Sequence, residues 1–397
     1  MLPRLSDYEI APEDTPVRYR RRPEYQPLGI RTGAWMVNPT LTAGTFYDSN
    51  VFSDSSNSRS DIAADLSAGL RAHSLWERHG INVGLSAHSV LYRTFSTMSH
   101  TDATIGGTGH LDIDHSTQLL GGFNAAYLHV LPGSLDAPLG AVEPTPFSRI
   151  SGNLGLRKES GRVTTVVGAG VDSYKFGSTR TGNGSIINLD PQDGQIYKAQ
   201  GRIGYAFSEK SAFFTSVEGN WRDLRGTPTQ SLESNGYRAL AGLDLELTHL
   251  IKGEIAAGYM QQNFFASSIG DISGPAYRVM LTWSPSRQVD VHLNAEQIVT
   301  QSWDLSTNGI LASAVQLAVD YEFRPNVVLL SAATFERDRF QGQTRVDNVY
   351  VAGTQIKYLM NNVTAISLGY TYTRRDSNAP DASYDKHRVS FNASARF

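Results

Sequence analysis

The side chains with the most capacity for chemistry are imidazoles and carboxylates, and few of them are spaced to do any. Ten histidines are scattered over 397 residues. His110, Asp112 and Asp114 fall at every second position, as metal ligands or a catalytic pair on one strand face would. They border a tight turn in a polar wall, so bracing is the expected role. Asp190 and Asp193 lie in a long polar loop and could offer oxygen ligands to calcium; a solvated acidic loop is the simpler reading. No HExxH, GxSxG or P-loop spacing occurs. With no cysteine, the chain has no thiolate nucleophile, disulfide or thiolate metal site. The sequence therefore nominates no catalytic residue, no metal and no cofactor, and an enzyme is not expected.

The charges follow a different rule: they alternate with apolar residues. In 237–248, Tyr237, Ala239, Ala241, Leu243 and Leu245 alternate with Arg238, Leu240, Gly242, Asp244 and Glu246. In 289–296 the alternation is Val289, Val291, Leu293 and Ala295 against Asp290, His292, Asn294 and Glu296. In 315–323, Val315, Leu317, Val319, Tyr321 and Phe323 alternate with Gln316, Ala318, Asp320 and Glu322. Only an extended strand sorts such residues onto two faces.

Such runs recur nearly end to end. They predict an all-β fold of about eighteen strands, with sixteen as the alternative count, each long enough to cross a bilayer when tilted. Tight connections at 158–161, 208–211, 284–287, 324–326 and 359–362 alternate with long ones at 131–145, 177–194, 225–233 and 376–386. Short turns on one rim and longer loops on the other are the pattern of a transmembrane antiparallel up-and-down β-barrel, with periplasmic turns and extracellular loops. No apolar run is long enough for a transmembrane helix.

In that barrel the apolar face meets lipid, because an Arg or Lys there costs roughly 2–4 kcal/mol near mid-membrane. The charged face must then line the interior. The lumen-lining candidates are Arg71, Arg149, Lys198, Arg202, Arg238, Asp244, Glu246, Arg278, Asp290, Glu296, Asp320 and Glu322, with Glu218 and Glu254 among further acids. Their mixed sign predicts no simple ion filter. His88 and Tyr92 are candidates for a sugar-stacking track, with mutual bracing as the simpler role. Aromatics near predicted strand ends are the candidate interfacial girdle: Tyr205, Phe207, Trp221, Tyr259, Trp283, Tyr321, Phe323, Tyr370 and Tyr372. Phe397, at the end of an alternating last strand, is the candidate mark for the outer-membrane assembly machinery.

Charged residues make up only 18 %, with 36 Gly and a net charge of −3. That balance argues against a nucleic-acid binder. Residues 1–33 are rich in Pro and charge, with Arg18, Arg20, Arg21 and Arg22 clustered. They read as a periplasmic tail, a lumen-inserted segment or a partner-docking arm, set apart from a barrel over 34–397. The first twenty residues hold no apolar signal core, so the export signal is expected to have been removed or to lie upstream of this numbering.

Four segments carry a resemblance: RPEYQPLGI at 22–30, YDSNVF at 47–52, DISGPAY at 271–277 and GYTYTRRDS at 369–377. With their strand spacing they resemble the putative β-barrel porin 2 family, along nearly the whole chain. The resemblance implies an outer-membrane barrel, often linked to exopolysaccharide secretion. It thus implies a passive hydrated pore for a surface polysaccharide, working with periplasmic and inner-membrane components. Diffusion of small solutes is the alternative, marked by a constriction loop at 131–145 or 177–194. A barrel enzyme or a plugged structural barrel are the others. A monomer is expected.

Overall fold

A computed structural model of the chain describes residues 16–18, 20, 22–134, 137–138, 140–227, 231–248, 250–266, 270–300, 307 and 309–397, without the side chains of 247 and 248. One sheet of nineteen strands dominates. One of them, Ile30–Thr32, is a three-residue hairpin arm on the first long strand. The remaining eighteen close a barrel. The first nine are β1 (Trp35–Asp48), β2 (Asp61–Ser74), β3 (Gly80–Tyr92), β4 (His100–Asp112), β5 (Thr117–Val130), β6 (Thr145–Ser160), β7 (Val163–Phe176), β8 (Gly194–Ser208) and β9 (Ser211–Leu224). The rest are β10 (Ser234–Thr248), β11 (Ile251–Phe264), β12 (Ile272–Ser286), β13 (Val289–Thr300), β14 (Ile310–Arg324), β15 (Val327–Phe340), β16 (Val346–Leu359), β17 (Thr364–Ser377) and β18 (Tyr384–Arg396).

Every strand pairs antiparallel with its sequence neighbours. β18 closes on β1 in a register running from Thr40↔Arg396 to Asp48↔Arg388. Among the described residues no long strand is left with an open edge, which is the condition for sheet in hydrocarbon. The register keeps one face apolar all round. On β6, Ile150 and Leu154 point outward and are 63 % and 65 % exposed. Arg149, Ser151 and Asn153 point into the lumen. The alternating sequence has no other way to bury its charge.

The connections fall into two classes. Even the longest of the turns on one rim, 75–79, has five residues, whereas the opposite rim carries 49–60, 131–144 and 177–193. At several short turns the register slips by a bulge, as between Ala206 and Ser208 and between Glu322 and Arg324. These bulges sit at the barrel rim and increase local twist. The start of β1 and the end of β18 lie on the short-turn rim, the periplasmic one in barrels of this kind.

The outward face at mid-barrel sets a stability test. Leu154→Arg lowers unfolding free energy in a lipid bilayer by roughly 2–4 kcal/mol. Gln200→Arg, on the inner face of β8, leaves it nearly unchanged. Urea titration in liposomes reads both; equal effects would contradict the facing assigned here.

Candidate functional site

The candidate site is the lumen, and its chemistry is that of paired charge. Arg202 on β8, Glu218 on β9, Arg238 and Asp244 on β10, Glu254 on β11, Arg278 on β12 and Glu296 on β13 all point inward. Adjacent strands place them side by side, and they interlock. Arg202 meets Glu254 at 2.7 Å and Asp244 at 3.6 Å. Arg238 bridges Glu218 at 2.7 Å and Glu296 at 2.6 Å. Arg278 reaches Glu218 at 2.8 Å and Glu296 at 3.3 Å. The Arg202 guanidinium also lies over the Phe214 ring, 3.6 Å from its centroid. The Glu254 side chain is only 2 % exposed. A carboxylate so far from water needs such partners to stay charged.

The other lumen candidates stand apart from this network. Lys198 pairs with Asp172 at 2.5 Å. Glu246 pairs with Lys210 at 2.9 Å near the short-turn rim. Arg149 donates to Asn124 Oδ1 at 3.2 Å, and Arg71 faces open lumen. Asp290, Asp320 and Glu322 meet the N-terminal segment. The Val17 N–H donates to Asp290, Arg18 pairs with Asp320 at 2.8 Å, and Arg22 pairs with Glu322 at 2.7 Å. Arg20 joins Glu322 at 3.4 Å. Val17 is fully buried. The described residues of 16–22 therefore lie along the inner wall at the short-turn mouth.

The long-loop mouth is narrowed from two directions. Loop 131–144 turns inward until Gly133 O accepts from Arg375 on β17 at 2.7 Å and from Tyr384 on β18 at 2.9 Å. Ser53, from loop 49–60, donates to Pro132 O at 3.2 Å. Gly133 has φ +78°, and a Cβ there would come within 2.1 Å of the Ser53 Cβ, so only glycine fits. Loop 177–193 folds its own hairpin, Ser178–Arg180 with Ile186–Asn188. It seats Leu189 against Phe147, Phe176, Val130 and Ala137. The two loops meet where the Val142 N–H donates to Arg180 O at 2.9 Å. The sequence offers both loops as constriction candidates; loop 131–144 is drawn inward by partners on β17 and β18, and loop 177–193 by apolar packing on β5 to β7.

Two chambers of the lumen lie between the mouths, lined by described residues. One of about 710 Å³ lies in the long-loop half, lined by Arg149, Lys198, Arg222 and the amides of Asn124, Asn220 and Gln262. The other, of about 910 Å³, lies toward the short-turn rim. Asn124 lines both.

Several sequence candidates turn out to be structural. Tyr92 is buried against Phe46, Val51 and Met98, and His88 bonds Asp65 at 2.8 Å. The stacking track expected of that pair is therefore not formed: apolar packing at the long-loop rim covers the ring. Asp112 accepts from Gln118 Nε2 at 2.8 Å. Asp114 caps its turn through the Ser116 N–H at 2.7 Å, a bond that holds its carboxyl below the usual range. Asp193 accepts from the Phe176 N–H at 2.7 Å, and Asp190 from Asn188 at 3.1 Å. Among the described residues no group of three His, Asp or Glu is placed to hold a metal. The girdle candidates lie on the outer face, all but one in two tiers. Tyr205, Phe207, Trp283, Tyr321 and Phe323 flank short turns, Trp221, Tyr259 and Tyr372 stand toward the long loops, and Tyr370 lies at mid-strand. Tyr372 donates to Asp385 at 2.5 Å. Phe397 continues the outer row of β18, its N–H donating to Pro39 O at 3.0 Å.

The YDSNVF segment forms a lock at the seam. Asp48 is fully buried between Arg388 at 3.1 Å and Lys386 at 3.4 Å, both on β18. Asn50, also fully buried, donates to Asp54 O and Asp385 O and accepts from the Asp54 N–H. Backbone N–H groups of Ser56 and Asn57 hold the Asp54 carboxyl below its usual range. In GYTYTRRDS, Ser377 and Arg375 grip the buried Asp347 on β16 at 2.6 and 3.7 Å. A protein-family model described as Putative beta-barrel porin 2 matches residues 22–397. The chain belongs to that family. It is an outer-membrane β-barrel porin-like channel, not an enzyme. In this porin the YDSNVF and GYTYTRRDS segments knit the seam and the long-loop rim.

No curated protein sequence matches the chain. Among solved structures it is similar to OccK2 (OpdF) of Pseudomonas aeruginosa, at 10 % identity and TM-score 0.48 over 91 % of this chain and 98 % of that one. It is also similar to Pseudomonas aeruginosa OpdL, at 14 % identity and TM-score 0.45 over 92 % and 99 %. A third is the siderophore receptor PirA of Acinetobacter baumannii, at 8 % identity and TM-score 0.46 over 90 % and 80 %.

Glu254→Gln isolates the wall network. It leaves Arg202 and Arg278 short of a buried counter-charge, which costs about 3 kcal/mol. Urea unfolding in liposomes checks this, and a variant as stable as the parent would show that the network braces nothing.

Proposed function

We propose that this porin is a passive diffusion channel for small hydrophilic solutes, with its size limit set at the long-loop mouth. The observation that carries the reading is the inward fold of loop 131–144, whose Gly133 carbonyl is held by Arg375 and Tyr384 of β17 and β18, with loop 177–193 seated beside it. Paired charge on the wall keeps the bore wet, since buried ions need water or partners, and a barrel of this strand count is wide enough for an aqueous path.

Polysaccharide export, which the family resemblance implies, asks for a bore that a polymer can thread. Two inserted loops at one mouth and the described residues of 16–22 at the other favour small solutes over a chain. No nucleotide-binding motif accompanies the pore, so transport by either route runs down a gradient. The exposed terminal Phe397 supports recognition by the outer-membrane assembly machinery.

Liposome swelling tests the size limit. Monosaccharides enter quickly, disaccharides more slowly, and long oligosaccharides not at all. Removing the hairpin 178–188 raises conductance and relaxes the limit. Free passage of long oligosaccharides through the parent protein would favour export instead. Deleting Phe397 lowers the fraction of chain that reaches the heat-modifiable folded form in cells; an unchanged fraction would remove its role as the assembly mark.

A further inference from the structure

We infer that the chamber at the short-turn end of the lumen is a binding site for small oligoanions bearing clustered carboxylate or phosphate groups. We infer also that it makes the pore anion-selective. The selectivity rests on the channel reading above; the binding does not.

The chamber is lined by Arg18, Arg20, Arg22, Arg71, Lys357 and Arg396, and by no Asp or Glu. They come from four separate parts of the chain: the N-terminal segment, β2, β16 and β18. Only barrel closure brings them together. Arg18 is answered by Asp320, while Arg20 and Arg22 share Glu322. Arg71, Lys357 and Arg396 form no ion pair among the described residues. Six cations against those two carboxylates leave four positive charges, or three when Asp290 beside Val17 is counted. The Nε–H groups of Arg22 and Arg396 are buried and have no hydrogen-bond acceptor. Arg396 otherwise reaches only Tyr25 O, at a long 3.4 Å.

Like charges gathered in a concave, low-dielectric wall repel one another and focus a positive field into the space they enclose. A counter-ion with several charged oxygens relieves that repulsion and satisfies the idle N–H donors, and guanidinium groups suit carboxylate and phosphate oxygens. The chamber has the volume for such an ion and its water.

The same imbalance continues upward. In the long-loop chamber Lys198 and Arg238 have their carboxylates, Asp172 and Glu218. Arg149 and Arg222 form no ion pair among the described residues, and Arg222 is 7 % exposed with two donor nitrogens unused. Because Asn124 touches both chambers, the uncompensated cations form one track. Acids with no Arg or Lys ion pair among the described residues, such as Asp65, Asp102 and Glu336, line neither chamber. Counting signs along the sequence predicts no filter. Pairing changes that: the network across β8–β13 ties up the acids of that wall and leaves free cations along the path.

The test uses the full chain in planar bilayers and in detergent. Under a KCl gradient the reversal potential shows chloride passing faster than potassium. Pyrophosphate or citrate, added separately on the short-turn side, lowers conductance saturably, and the two arms separate phosphate from carboxylate preference. Isothermal titration of the detergent-solubilised protein with either anion gives one saturable site. The Arg71→Gln, Lys357→Gln, Arg396→Gln triple variant shifts the reversal potential toward potassium and loses both block and binding heat. Lys357→Gln alone weakens them if the triple variant fails to fold, and Lys357→Arg restores them. A cation-selective parent, or no binding heat with either anion, overturns the inference while leaving the channel in place. A parent that binds the anions but never conducts overturns the channel reading and keeps the site.

Discussion

Hydrocarbon offers no partner to a backbone amide, so every strand that crosses it must be paired on both sides and the last must return to the first. The rest of this molecule follows from that closure. It fixes the antiparallel order and puts the start of the first long strand and the end of the last on one rim. It also makes the seam between β18 and β1 a unique place, the only one where strands distant in sequence must find each other in register. The buried Asp48 with Lys386 and Arg388, and the Asn50 knot beside it, stand at the top of that seam. A slip by one residue would turn Asp48 toward lipid and part it from both cations, so the lock also reads the register.

Closure also decides what happens to charge. An inward-facing ion on a curved wall has neighbours on the strands either side and few other partners. Arginine dominates the wall network because its planar fork can hold two carboxylates from two strands at once. Where partners are dense, as across β8–β13, the wall becomes a rigid, nearly neutral lattice. Where they are sparse, around Arg71, Lys357 and Arg396, charge is left for the solvent and its solutes. The two regions share one lumen, and the difference between them is a matter of which strands happen to face each other.

The fold was legible because a period of two is hard to mistake. Tyr237, Ala239 and Ala241 against Arg238 and Asp244 can only be a two-faced strand, and tight turns such as 208–211 show which rim is which. What each inward residue does was not legible. Glu218 and Arg278 lie 60 positions apart, and nothing local links them. Tyr92 looked available for stacking because its burial depends on Phe46 and Met98 from other elements. Gly133 gave no signal at all: its constraint is contact with Ser53, set by how loops from different hairpins cross the mouth. The N-terminal arginines were visible as a cluster, but their acids lie some 300 positions away on β14.

The central claim is that alternate side chains meet lipid and water. The natural absence of cysteine allows it to be read residue by residue. Single cysteines along β3 at Asn82, Val83, Gly84, Leu85, Ser86 and Ala87, in the protein reconstituted in liposomes, would be exposed to a water-soluble maleimide and to a lipid-phase thiol probe. The account predicts that the first reagent takes positions 82, 84 and 86 and the second takes 83, 85 and 87. Labelling of all six by one reagent, or of the same three by both, would contradict it.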